Sequence, residues 1–222
     1  MNPQPTQPDL IACKRVILIH GLAAHYIYLW PMAWYLNRNG FSVTTFGYRS
    51  WFWSIERHAE RFAVELGRLE QDPNVDSFAV VAHSMGGIVT RQAILSGLNG
   101  LSGDSAKSSP GAFSKLKRVV MLGSPNHGSP QARRFGRIFP FCKTVRQLSD
   151  RPGSFVRGLP SPTQAEFGII AAQKDRVVPE ASSQLAAAKD HITLASGHNG
   201  LLFRPTVLKQ VREFLTNGKF SR

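Results

Sequence analysis

The apolar run Phe78-Ala79-Val80-Val81 leads straight into Ala82-His83-Ser84-Met85-Gly86-Gly87. A serine with small residues two positions before and after it, between a buried strand and a helix, marks a turn too tight for larger side chains there. Such a turn lifts the serine oxygen to the tip of a sheet, at the N-terminus of the next helix. There the helix dipole and free N–H groups favour developing negative charge. Ser84 is therefore the candidate nucleophile, with Ala82 where the commonest pattern has glycine.

The rest of the chain supplies a matching scaffold. Short runs rich in Val, Ile and Phe predict strands at Arg15–His20, Phe41–Phe46, Phe78–Ala82, Arg118–Leu122, Glu166–Ala172 and His191–Ala195. Continuous apolar runs suit strands buried on both faces. Helical patterns fall between them, at Trp30–Asn39 with Gly40 behind it, Ser54–Glu70, Gly86–Leu95, Glu180–Lys189 and Arg204–Leu215. In the last of these, Val207, Leu208, Val211, Phe214 and Leu215 make one apolar stripe. The alternation predicts an α/β fold: one domain with a mostly parallel central sheet of about six strands and helices on both faces. The core is expected over 10–217, behind a polar, Pro- and Gln-rich tail over 1–9. Two segments break the rhythm. Ser96–Ser114 reads as a mobile surface loop, and Pro125–Pro162 as an excursion that is either a cap over the site or partly disordered.

Composition excludes several alternatives. With 222 residues the chain suits one domain with a full core. Cys13 and Cys142 form neither a CxxC pair nor a zinc spacing. The first residues lack the cationic and apolar regions of a signal peptide, and no apolar run is long enough to span a bilayer, so the expected location is cytoplasmic. The formal charge of +13 draws the chain toward anionic surfaces. No zinc-finger, RRM-like or basic-zipper pattern accompanies it, so nucleic-acid binding is not expected.

A base for Ser84 should follow it in the chain, after the acid. Of the seven histidines only His191 and His198 come late enough. His198, in Ser196-Gly197-His198-Asn199-Gly200, lies just past the last strand, at the carboxyl end of the sheet. His191 begins that strand, so His198 is the candidate base. Asp175 follows the preceding strand and is the candidate acid, which would hold the imidazole tautomer. Its rivals are Asp150 in the excursion and Asp190 at the wrong end of the last strand. The first strand runs into His20-Gly21-Leu22, a turn that can aim the Leu22 N–H above Ser84; the Met85 N–H would be the second oxyanion donor. His20 reads as structural.

Taken together, Ile19-His20-Gly21-Leu22, Ala82-His83-Ser84-Met85-Gly86-Gly87, Leu122-Gly123-Ser124-Pro125-Asn126-His127-Gly128 and Gly197-His198-Asn199-Gly200-Leu201-Leu202 resemble small bacterial lipases and esterases of the α/β-hydrolase superfamily. The resemblance extends from about Val16 to Leu215. It implies a single α/β-hydrolase domain, the triad Ser84, Asp175 and His198, oxyanion donors Leu22 and Met85, and carboxylester hydrolysis with no cofactor and no metal.

Two features bear on the substrate. Trp30, Trp34, Trp51 and Trp53 cluster with Tyr26, Tyr28, Tyr48 and Phe52; half of these rings are expected in the core and half along an apolar acyl pocket. Between Arg133 and Arg157 stand seven cations and one acid, Asp150, interleaved with Phe135, Ile138, Phe139 and Phe141. That segment reads either as a lid meeting an anionic membrane surface or as a solvated basic face. The expected activity is an esterase or lipase working through an acyl-enzyme on an ester or lipid substrate. A thioesterase or acyltransferase would use the same triad, and a non-catalytic binding module is the alternative outside enzymes.

Overall fold

The computed structural model describes residues 14–98 and 113–222. The tail over 1–9, Cys13 and most of the surface-loop segment expected over 96–114 lie outside the described residues. Six strands, β1 (Arg15–Ile19), β2 (Ser42–Phe46), β3 (Phe78–His83), β4 (Leu116–Leu122), β5 (Glu166–Ala172) and β6 (Ala188–Leu194), form one sheet in the order β2-β1-β3-β4-β5-β6. Every pairing is parallel. β3, the strand that leads to Ser84, is buried at all six positions and sits between β1 and β4. The edge strands β2 and β6 are partly exposed, which is why they carry Ser, Thr, Lys and Asp.

Eight α-helices accompany the sheet among the described residues: α1 (Trp30–Arg38), α2 (Ile55–Gln71), α3 (Met85–Leu98), α4 (Pro130–Ile138), α5 (Lys143–Gln147), α6 (Phe155–Gly158), α7 (Glu180–Ser183) and α8 (Pro205–Asn217). Alternate strand residues point to opposite faces. Ile17, Val80, Val119 and Ile169 pack under α2 and α3, in a cluster with Ile55, Phe62, Ile88 and Val89. Leu18, Val81, Val120 and Ile170 meet Met32 and Leu36 of α1 and the full expected stripe of α8. No described helix is long and apolar enough to cross a membrane.

Local signals explain the helix ends. The Ser54 hydroxyl accepts from the Arg57 N–H at the start of α2 (3.4 Å), and Gly40 takes φ +86 just beyond α1. The helix expected over Glu180–Lys189 is the one element that fails. It stops after Ser183, whose hydroxyl donates to the Glu180 carbonyl, and Gln184 is extended. Leu185 is buried in the core, and β6 starts at Ala188, three residues earlier than expected. Sheet pairing, with Asp190 opposite Gly168, overrides the helix propensity of Ala186-Ala187-Ala188. Asp190 is thus inside the strand, where it accepts from the Phe220 N–H (2.8 Å) and Arg222 (3.1 Å).

The excursion over 125–162 is folded as α4, α5 and α6. It is anchored from both sides. The Gln147 side chain accepts from the Ile55 N–H (2.9 Å) and donates to Glu56 (2.7 Å) at the start of α2, and the Ser129 hydroxyl donates to the Val177 carbonyl (2.5 Å). Arg91 of α3, 2% exposed, fastens the two roots of the excursion. Its guanidinium donates to the Asn126 carbonyl and side chain (3.2 and 3.1 Å) and to the carbonyls of Leu159 (2.5 Å) and Pro160 (3.2 Å). Burial lowers its pKa to about 10, so it stays charged at neutral pH. Replacing Arg91 by Met would leave these buried acceptors without a donor. The expected loss is about 3 kcal/mol, read as a lower urea midpoint; an unchanged midpoint would contradict the anchor.

Candidate active site

β3 ends at His83, α3 begins at Met85, and Ser84 between them has φ +54. A left-handed conformation is strained for serine and persists only where the surroundings enforce it. The enforcement is visible at the neighbouring glycines. A Cβ on Gly86 would lie 2.7 Å from the His20 carbonyl oxygen, and one on Gly87 would overlap the Ser124 side chain. The small residues of the motif are thus required by the close approach of the β1 and β4 ends.

The late loops meet at this turn. His198 Nε2 is 3.0 Å from Ser84 Oγ, and His198 Nδ1 is 2.7 Å from Asp175 Oδ2. Asp175 Oδ1 accepts from the Val177 and Val178 N–H groups, both at 2.8 Å. Burial alone would push the Asp175 carboxyl up, but the hydrogen bond and charge of His198, with those two N–H groups, hold it below the usual carboxylate range. An ionised Asp175 favours the tautomer with hydrogen on Nδ1, which leaves Nε2 as an acceptor toward the serine hydroxyl. The rivals lie elsewhere: Asp150 pairs with Arg133 at 3.3 Å, and Asp190 and His191 sit within β6.

Residues not singled out in the sequence complete the surroundings. Gly123, at the end of β4 with φ +55, leaves room where a Cβ would stand 3.2 Å from His198 Nδ1 and 3.3 Å from Asp175 Oδ2. His83 donates from Nε2 to the His198 carbonyl (3.3 Å) and steadies the loop that carries His198. Both belong to motifs quoted above, but only the fold brings them against the late loops.

Gly21 runs directly past Ser84: a Cβ there would be 2.7 Å from Ser84 Cβ and 3.3 Å from Ser84 Oγ. Around this turn the structure is held by His20, as expected of a structural residue. Its Nδ1 donates to the Gly21 carbonyl (2.9 Å), and its Nε2 accepts from the Tyr48 N–H (3.3 Å). The Tyr48 hydroxyl donates to the His20 carbonyl (2.8 Å), and the two rings stack with centroids 4.4 Å apart. The Ala23 N–H donates to Ser50 (3.0 Å) and fixes the next residue, itself at φ +58. Leu22 follows Gly21 in the first of these segments, and Met85 follows Ser84 at the start of α3.

Two enclosed histidines make the fold acid-sensitive. Burial, reinforced by the nearby His198 charge, lowers the His83 pKa to about 3, and burial with repulsion from Arg61 lowers that of His58 to about 4. The unfolded chain takes up these protons near pH 6.5, whereas the folded chain resists them. Their contribution is whole above about pH 6.5 and erodes as pH falls toward the folded values, by up to about 1.4 kcal/mol per pH unit for each ring. Asp175, with a lowered carboxyl pKa, loses its contribution only in more acidic solution. Urea midpoints at pH 7, 6 and 5 should decline in order; a flat profile would mean that these rings titrate freely.

The aromatic cluster departs from expectation. Only Tyr48 is in the core, whereas Trp30 and Phe52 are 64% and 75% exposed, and Tyr26, Tyr28, Trp34 and Trp51 are exposed as well. Phe141 of the excursion is 99% exposed. Most of these rings lie in or beside connections that follow β1, β2 and β4, at the carboxyl end of the parallel strands. That is also the end of the sheet at which Ser84 sits.

Comparisons with known proteins bear on the fold and the family. The chain resembles the mature form of Bacillus licheniformis lipase BlEst2, with a TM-score of 0.70 and 17% identity over 95% of each chain. Aspergillus fumigatus lipase B aligns with a TM-score of 0.70 and 16% identity, over 92% of this chain and 53% of that one. Phospholipase PlaB from Legionella pneumophila aligns with a TM-score of 0.59 and 19% identity, over 78% of this chain and 45% of that one. At these identities the likeness establishes the fold, which is that of the α/β-hydrolases. A comparison with curated protein sequences gives no match. The family model for class 2 lipases matches residues 14–193, from the first strand through most of the last. By that match and that fold the chain belongs to the class 2 lipases, and its activity is carboxylester hydrolysis.

Proposed function

We propose that the protein cleaves carboxylic esters with an apolar acyl group through a covalent acyl-enzyme on Ser84. The reading is carried by one observation: Ser84 Oγ lies 3.0 Å from His198 Nε2 while Asp175 holds the other ring nitrogen at 2.7 Å. His198 takes the Ser84 proton as Oγ attacks the ester carbonyl. The tetrahedral oxyanion is held by the N–H groups of Leu22 and Met85, and the imidazolium by Asp175. His198 then returns the proton to the leaving alcohol, and the acyl group stays on Ser84. A water molecule, deprotonated by His198, attacks the acyl carbonyl, and collapse releases the acid and restores the serine.

The solvent-exposed rings of Trp51, Phe52 and Phe141, in the connections that follow β2 and β4, support an apolar acyl group, because exposed aromatic side chains can be covered by an acyl chain. The test is a series of p-nitrophenyl esters from acetate upward, with a matched thioester. The expected result is a kcat/KM that rises with chain length beyond acetate and a clear preference for the oxygen ester. A folded protein that cleaves none of them overturns the reading, and a dominant thioester rate reassigns the substrate.

A further inference from the structure

A cavity of about 510 Å³ opens between α4, α5 and the turn leading into α6. Its lining includes Arg133, Arg137, Lys143, Arg146 and Arg151, and no carboxylate. Ser84, Asp175 and His198 are not part of it.

The cations converge by construction. Arg133 and Arg137 are four residues apart on α4, and Lys143 and Arg146 three apart on α5, so each pair shares a helix face. Ala132 and Gly136 lie between the two helices, and a Cβ on Gly136 would already stand 3.7 Å from Arg146 Cγ. Small residues thus bring the two basic faces together, and like charges held so close repel. Compensation within the protein is slight. Arg133 has Asp150 at 3.3 Å, and Lys143 reaches Glu56 only at 3.9 Å. Among the described residues Arg137, Arg146 and Arg151 make no ion pair. The lining also includes Ser154, whose hydroxyl oxygen is buried without a hydrogen-bond partner.

We propose that this cavity is a binding site for a phosphoryl group, either the headgroup of an anionic lipid or a free phosphorylated anion. Guanidinium forks match phosphate oxygens in pairs, and several around one concavity suit a multiply charged oxyanion better than a single carboxylate. The Ser154 hydroxyl adds a neutral donor. The volume falls within the range of small-molecule sites, whereas a nucleic-acid duplex needs an extended stripe. Phe135, Ile138 and Phe139 are exposed on or at the end of the same α4, where acyl chains behind a headgroup would run. The site does not depend on the hydrolytic reading of Ser84.

The experiment uses the full chain and two probes. One is inorganic diphosphate, followed by isothermal titration calorimetry. The other is phosphatidylcholine vesicles with and without phosphatidic acid, followed by co-sedimentation. The triple variant Arg137→Gln, Arg146→Gln, Arg151→Gln is expected to weaken binding about tenfold or more, while p-nitrophenyl acetate turnover stays as in the wild type. The corresponding triple Lys variant keeps the charge but loses the forks, and should fall between the two. It also keeps the test open if the Gln variant folds poorly. Binding of diphosphate assigns a free anion, and binding of phosphatidic-acid vesicles alone assigns a lipid headgroup; both support the site. Failure of both probes to bind the wild type overturns it, and so does equal binding by the wild type and a folded Gln variant. Binding by a protein that cleaves no ester would sink the hydrolytic reading and leave the site standing.

Discussion

Ser84→Ala is expected to lower kcat by about 10³-fold or more, with the thermal unfolding midpoint nearly unchanged. Alanine suffers the same left-handed backbone strain as serine, so the elbow at φ +54 keeps its shape while losing its oxygen. The residual rate would come from substrate binding and the proposed N–H donors of Leu22 and Met85, which the substitution leaves in place. A fluorophosphonate should label the wild type once, on the peptide containing Ser84, and should not label the variant. An adduct on any other peptide would refute Ser84 as nucleophile.

His198→Ala should be nearly as damaging, because Ser84 Oγ then has no base within reach. Asp175→Asn should be milder by roughly a hundredfold, as is usual for the acid of a triad. The geometry gives a reason for a deficit of that kind. The Val177 and Val178 N–H groups would claim the asparagine carbonyl, which turns its NH₂ toward His198 Nδ1. The ring must then carry its proton on Nε2, facing Ser84 with a donor where an acceptor is needed. Asp190→Asn and His191→Ala serve as controls, because both residues lie within β6 rather than in a loop at its carboxyl end. Inactivation of a well-folded protein by either control, with Asp175→Asn active, would reassign the acid or the base.

The elements legible in the sequence share one property: their own residues carry the signal. β3 and β5 are buried nearly throughout and read as apolar runs, and α8 announces its stripe at helical spacing. Ser84, Asp175 and His198 could be named as candidates because a tight turn and two post-strand loops confine where such residues can stand, and the fold brings the three together. β6 was harder. Its opening Ala188-Lys189-Asp190 belongs to a partly exposed edge strand and has no apolar pattern, so pairing with β5 decides its start. Arg91, Gly123 and His83 act through partners far away in sequence, such as Leu159 and His198, and nothing next to them forecasts those contacts. The excursion was ambiguous because α5 and α6 have only five and four residues, too few for periodicity to declare a face.

The sheet order has a consequence for biosynthesis. Ser84 and His198 are 114 positions apart, and the strands that carry Asp175 and His198 lie on one side of β4. A ribosome delivers β1 to β4 first, so a nascent chain displays the long apolar edge of β4 before β5 exists to cover it. During that interval the serine turn can form but has no His198 beside it. Docking of β5 and β6 covers the edge and brings Asp175 and His198 to Ser84 in the same event, so an emerging chain assembles the proposed triad only as its most adhesive border disappears.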